Sequence, residues 1–157
     1  MELVLIRHGQ PEWVREGLNV VDPPLTELGH RQARALAGAM ADQHFDEVLV
    51  SPLVRARQTA APLLESLGRV EEVDLWLEEI RDPNWQGTPA EHAAEAYEEL
   101  RSRPSLDRWR GLPGGEDIRE FVQRIRLGAE KFLQERGVVQ VESELPVWHI
   151  AEPGRRI

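Results

Sequence analysis

Cysteine is absent from these 157 residues, which excludes disulfides and thiol chemistry and makes a cytoplasmic setting the default expectation. Lysine is nearly absent as well: Lys131 is the only one, and arginine supplies the rest of the 19 basic residues. No apolar run approaches the ~20 residues of a bilayer span. The opening Met1-Glu2-Leu3-Val4-Leu5-Ile6 lacks the basic leader of a signal peptide and reads as mature structure, so no membrane partner is expected. Positive charge is scarce overall. The net charge of −9 argues against nucleic acid, whose phosphate backbone demands basic faces. An acid-rich metal cluster and a G-x-x-x-x-G-K-[ST] loop are both missing, so no metal and no cofactor are expected and nucleotide-dependent transfer is disfavoured. What remains is 41% hydrophobic and 30% charged, the balance of one soluble globular domain over residues 1–157.

The apolar residues fall into short blocks. Glu2 to Ile6 is bounded by a glycine and reads as a buried parallel strand. After the irregular stretch Pro11 to Pro24, Thr26 predicts the N-cap of a helix carrying Ala33, Leu36, Ala37 and Met40 on one face. Phe45 to Val50 reads as a second strand. Ser51-Pro52 then predicts a helix start with serine as N-cap, leading to Leu53, Ala56, Ala60, Leu63, Leu64 and Leu67 along one face. Val70 to Leu77 is strand-like, and Thr88 to Arg101 is helical but polar, as a surface excursion would be. The clearest stripe is Ile118, Phe121, Val122, Ile125, Ala129, Phe132 and Leu133, with Gly137 as its stop. Strands alternating with helices indicate an α/β domain with a mainly parallel sheet.

In such sheets ligands sit beyond the carboxyl ends of strands. Arg7-His8-Gly9 follows the first strand and Ser51-Pro52-Leu53-Val54-Arg55 the second, with Arg55 in the first turn of a helix whose free N–H groups favour an anion. The planar fork of arginine suits phosphate. A neutral imidazole beside such a cluster can attack phosphorus and carry the phosphoryl group. Gly9 removes a side chain, which would let the backbone approach a ligand.

Five ordered patches resemble the histidine phosphatase superfamily, the group of phosphoglycerate mutases and related phosphatases. They are Arg7-His8-Gly9; Asp22 to Ala33, similar to D-x-P-L-T-x-x-G-x-x-Q-A; Ser51 to Ala60, similar to S-P-L-x-R-A-x-Q-T-A; Glu79-Ile80 with Trp85 and Gly87; and Pro113-Gly114-Gly115-Glu116. The resemblance implies a phosphoglycerate mutase-like fold, a mainly parallel sheet with helices on both faces. It also implies hydrolysis of small phosphomonoesters through a phosphohistidine. His8 would be the nucleophile, Arg7 and Arg55 the phosphoryl clamp, Glu79 the general acid, and Gly9 and Gln10 further contacts to the phosphate or substrate.

Departures accompany the match. Pro11 and Val14 replace substrate-contacting residues usual in mutase-type members, Pro83 replaces a glycine, and Gln86 a glutamate. The family's second catalytic histidine, in a strand-H-G turn, has no counterpart, since His149 lacks the glycine. The expected domain is therefore incomplete at its C-terminal strand. Impaired turnover is expected, and so is self-association as a homo-oligomer over exposed apolar surface. The alternatives are a cofactor-dependent phosphoglycerate mutase and a non-catalytic phosphate-binding protein.

Overall fold

The computed structural model describes residues 1–141, 147–150, 154 and 157, with the backbone alone for 140, 141 and 147–150. It is an α/β arrangement. The strands β1 (Val14–Arg15) and β2 (Leu18–Asn19) form a small antiparallel hairpin, followed by helix α1 (Glu27–Met40). Strand β3 (Leu49–Val50), helix α2 (Val54–Leu67) and strand β4 (Glu72–Val73) form a β-α-β unit in which β3 and β4 pair in parallel. A 3₁₀ turn over Leu75–Leu77 leads to the helices α3 (Ala90–Ser102), α4 (Ser105–Arg108) and α5 (Ile118–Glu135). Strands β5 (Val138–Val141) and β6 (Val147–Ile150) close an antiparallel hairpin.

Local chemistry accounts for the helices. Thr26 caps α1, its hydroxyl accepting from Gly29 N–H at 3.1 Å. Asp117 caps α5 in the same way, and Gly137, at φ 71°, turns the chain away after it. The core forms where α1 and α2 pack: Ala33 and Ala37 of α1 and Thr59, Leu63 and Leu64 of α2 are buried, as are Leu25, Phe45, Val50 and Phe132. The surface excursion is confirmed, since α3 buries no residue.

Several sequence expectations need correction. Among the described strands β3–β4 is the parallel pair, and strand structure within Phe45 to Val50 and Val70 to Leu77 is confined to its two-residue strands. Residues 2–6 are not a buried strand: Leu5 is 91% exposed, and Leu3 and Ile6 are exposed too. Their paired neighbour is Ile157, whose carbonyl accepts from Val4 N–H and whose N–H donates to Glu2 C=O, both at 2.9 Å. One residue straddling two in this way is parallel pairing. Apolar composition makes a strand possible, but strands flanking it on both sides are what bury it. Ser51 is not the cap of α2, which begins three residues later behind Leu53.

Candidate active site

Residues 8–10 are fixed by what lies beneath them. Gly9 N–H donates to Thr59 Oγ1 at 3.0 Å, and that hydroxyl donates to Arg55 C=O at 2.7 Å. Gln10 N–H donates to Gln32 Oε1 at 2.8 Å, and Gln10 C=O accepts from Thr26 N–H at 2.9 Å. A side chain at Gly9 would lie 2.7 Å from the carbonyl oxygen of Gly29, and one at Gly29 would run into the Gln10 carbonyl. One close approach that Gly9 permits is thus to Gly29 in α1. The His8 ring is oriented by its own neighbour: Nδ1 lies 2.8 Å from Gly9 C=O. A carbonyl only accepts, so Nδ1 carries a proton, and in the neutral ring the lone pair is on Nε2.

Arg55 sits in the first turn of α2, and its side chain is only 5% exposed. Nη2 donates to Glu79 Oε2 at 2.5 Å, Nη1 lies 3.5 Å from Asp22 Oδ1, and the guanidinium lies 4.8 Å from the centre of the Trp13 ring. The same Asp22 oxygen accepts from Val54 N–H at 2.9 Å, so the cap of α2 comes from a residue far away in sequence. A carboxylate is favoured there by the helix dipole, and aspartate tolerates the positive φ of 48° that Asp22 adopts. Two buried polar atoms close by, Ser51 Oγ and Arg55 Nε, have no hydrogen-bond partner.

The structure therefore joins Arg55 to Glu79 directly and to the His8 segment through Thr59. Arg7 is exposed and makes no ion pair among the described residues. The Gln10 amide oxygen accepts from Thr26 Oγ1 at 2.9 Å. His8 also lines a mostly apolar cavity of about 350 Å³, bounded by Leu5, Ile6, Ser51, Trp76, Phe132 and Ile157. His149 lies in β6 opposite Val139, and its side chain is outside the described part.

Three neighbours of Arg55 were not assigned roles from sequence: Asp22, Trp13 and Asp82. Asp82 accepts from Tyr97 Oη at 2.5 Å. Although the residue is exposed, protein packed around its carboxyl pushes its pKa above the usual carboxylate range; Glu79 adds to this, and Tyr97 and Arg55 oppose it. Burial and the Asp82 carboxylate in turn push the Tyr97 hydroxyl upward. In sequence Asp82 signals only a turn before Pro83. Asp22, ahead of Pro23-Pro24, looks equally like turn chemistry.

The family model of the histidine phosphatase superfamily (branch 1) matches residues 3–143. The chain is 30% identical to phosphoserine phosphatase 1 of Hydrogenobacter thermophilus over 134 residues, 80% of this chain and 61% of that protein. It is 33% identical to a 2,3-bisphosphoglycerate-dependent phosphoglycerate mutase of Methylobacterium over 135 residues, covering 78% and 63%. Neither curated relative is spanned over two thirds of its length. A putative alpha-ribazole-5'-P phosphatase from Escherichia coli superposes with a TM-score of 0.68 at 29% identity, covering 86% of this chain and 68% of that one.

Proposed function

The chain belongs to the histidine phosphatase superfamily, and from that premise we propose that it hydrolyses small phosphomonoesters through a phosphohistidine on His8. The observation that carries this reading is the His8 ring held by its Nδ1–Gly9 contact, which leaves Nε2 for attack in the neutral ring, with Gly9 tied through the Thr59 hydroxyl to the main chain of the buried Arg55. Nε2 attacks phosphorus and the bond to the leaving oxygen breaks. Glu79 gives its proton to that oxygen. Water then attacks the phosphohistidine, the P–N bond breaks, and the Glu79 carboxylate takes the proton of the water. Arg55 and Arg7 hold the phosphoryl oxygens, with Gly9 and Gln10 beside them, and stabilise charge as it spreads in the transition state. The names of the relatives support phosphatase chemistry. The parallel β3–β4 pair and the parallel bonds of Ile157 support a mainly parallel sheet as the frame. The lack of cysteine supports a cytoplasmic setting.

Rapid-quench labelling with a phosphorylated substrate tests the covalent step. An acid-labile, base-stable adduct is expected, and His8→Ala should not form it. Label on another residue, or an unchanged yield in the variant, sinks the mechanism. Binding of phosphate with no adduct favours a phosphate-binding protein. The mutase-named relative motivates one further arm: a phosphoglycerate assay with added bisphosphoglycerate, in which interconversion of the phosphoglycerates would replace phosphatase by mutase.

A further inference from the structure

Glu79 reaches Arg55 from a segment that α5 grips by its main chain. Glu116, just ahead of α5, and Arg124, inside it, form an ion pair in which Nε lies 3.0 Å from Oε1 and Nη2 lies 2.9 Å from Oε2. The pair is largely buried, with the Glu116 side chain 9% exposed. The remaining donors of Arg124 go to main-chain carbonyls: Nη1 to Glu78 at 2.9 Å and Trp76 at 3.5 Å, and Nη2 to Glu79 itself at 3.4 Å. Five contacts thus occupy its five N–H groups. Glu116 closes the other end, since its Oε2 accepts from Arg81 N–H at 3.2 Å and its own N–H donates to Arg81 C=O at 2.7 Å. Gly115 leaves no room for a side chain, because a Cβ there would lie 2.9 Å from the same Arg81 carbonyl. Further along α5, Gly128 lets the Trp76 ring lie directly against the helix.

Stability alone does not call for this arrangement, because a well-packed apolar pair of similar volume is often as stable as a buried ion pair. Apolar side chains, however, cannot hold the main-chain groups of Trp76, Glu78, Glu79 and Arg81 in register around a single carboxylate. We propose that Glu116 and Arg124 are positioning residues for Glu79: their ion pair fixes the main chain of residues 76–81 so that the Glu79 carboxyl is presented at Arg55. The motif Pro113-Gly114-Gly115-Glu116 thereby acquires a role at a distance, in placing the proton donor. The inference rests on the reading of Glu79 as that donor.

The test is a double-mutant cycle. E116Q, R124K, E79Q and E79Q/E116Q are compared in hydrolysis of p-nitrophenyl phosphate, whose leaving group needs little protonation, and of alkyl phosphates, whose leaving groups need it. E116Q and R124K should lower kcat for alkyl phosphates by about 10- to 100-fold, the scale of a small misplacement of a reacting group. KM should be little changed, because the phosphoryl clamp lies on other elements, and p-nitrophenyl phosphate should suffer far less. In the E79Q background the added loss from E116Q should shrink to within about twofold. Equal losses on both esters, or full additivity with E79Q, overturn the proposal. So does loss of the folded circular dichroism signal in both single variants, which would assign the pair to stability alone. If E79Q itself shows no leaving-group dependence, or the unmodified chain turns over neither ester, the acid reading fails and this inference fails with it.

Discussion

Around Glu79, Arg124 of α5 and Glu116 just ahead of it reach three main-chain carbonyls and an N–H within six residues, and the carboxyl ends on a buried arginine. Around His8 the chain arrives through Leu3, Leu5 and Ile6, all exposed, with Ile157 as its paired neighbour and a cavity beside it. From Gly9 onward that segment is tied to Thr59, Gln32 and the start of α1. Both segments belong to one candidate site, but their order has different sources. The acid side is preorganised by charged side chains acting on the backbone. The nucleophile side is anchored on its C-terminal flank and leaves its upstream strand to whatever pairs with it. Preorganisation lowers the cost of assembling a transition state, so the two sides should respond differently to perturbation.

The largest effect is expected at the shared arginine. Arg55→Met should reduce kcat/KM by about 10²–10³, the scale of losing one charged partner of a developing oxyanion. It also leaves Asp22 and Glu79 without their common counter-charge. A loss under tenfold would place the phosphoryl group elsewhere. Gly9→Ala comes next, at about 1–3 kcal/mol of stability by urea denaturation, because the new Cβ meets backbone that cannot swing away. A neutral result would mean that the His8 segment is loose past Gly9, erasing half of the contrast. Asp22→Ala should cost about 1 kcal/mol, the usual value of a helix cap.

Glu116 allows a test through pH. The hydrogen bonds from Arg124, helped by Arg81, hold its carboxyl below the usual carboxylate range against the opposing effect of burial. The unfolded chain lacks that hold and so binds the proton more tightly than the folded one. The stabilisation is complete above the ordinary carboxylate range and disappears as pH falls through the lower folded value. Urea midpoints between about pH 6 and pH 3 should therefore decline less steeply in E116Q than in the unmodified chain. Equal slopes would remove Glu116 from the acid limb. The smallest effect belongs to Leu5→Ser, within about 0.5 kcal/mol for so exposed a position. A much larger loss would show that residues 2–6 are covered in solution and would break the comparison from the other side.

Legibility in the sequence followed distance along the chain. Thr26 announces α1 because its partner is Gly29, three residues away, and the α5 stripe repeats at helical spacing. Arg55 was placed in a first helical turn on local grounds, although the predicted cap was wrong: Ser51 has the right chemistry, and Asp22 reaches Val54 N–H from 32 residues off. Gly9 was read as a place for close approach, but the partner, Gly29, lies across the fold. The grip of Arg124 on Glu78 and Glu79 spans some 45 residues and leaves no periodic trace. Residues 2–6 mislead for a related reason, since an apolar run is a property of the segment and burial a property of its neighbours.

The ion pair between Arg55 and Glu79 has a consequence for how any phosphate ester is received. The guanidinium is buried and already occupied by one carboxylate at hydrogen-bond distance, with a second nearby. On the proposed reading, a phosphoryl group arriving at Arg55 takes part in an exchange of anions, in which it displaces Glu79 from Nη2. Singly charged anions gain little from replacing one carboxylate by another of equal charge. A dianion with several oxygens gains more, so the resident carboxylates act as a threshold that filters ligands by charge before their organic part is read. The side chain that is displaced is the same one proposed to face the leaving oxygen, so arrival of the ester is what would release it from Arg55.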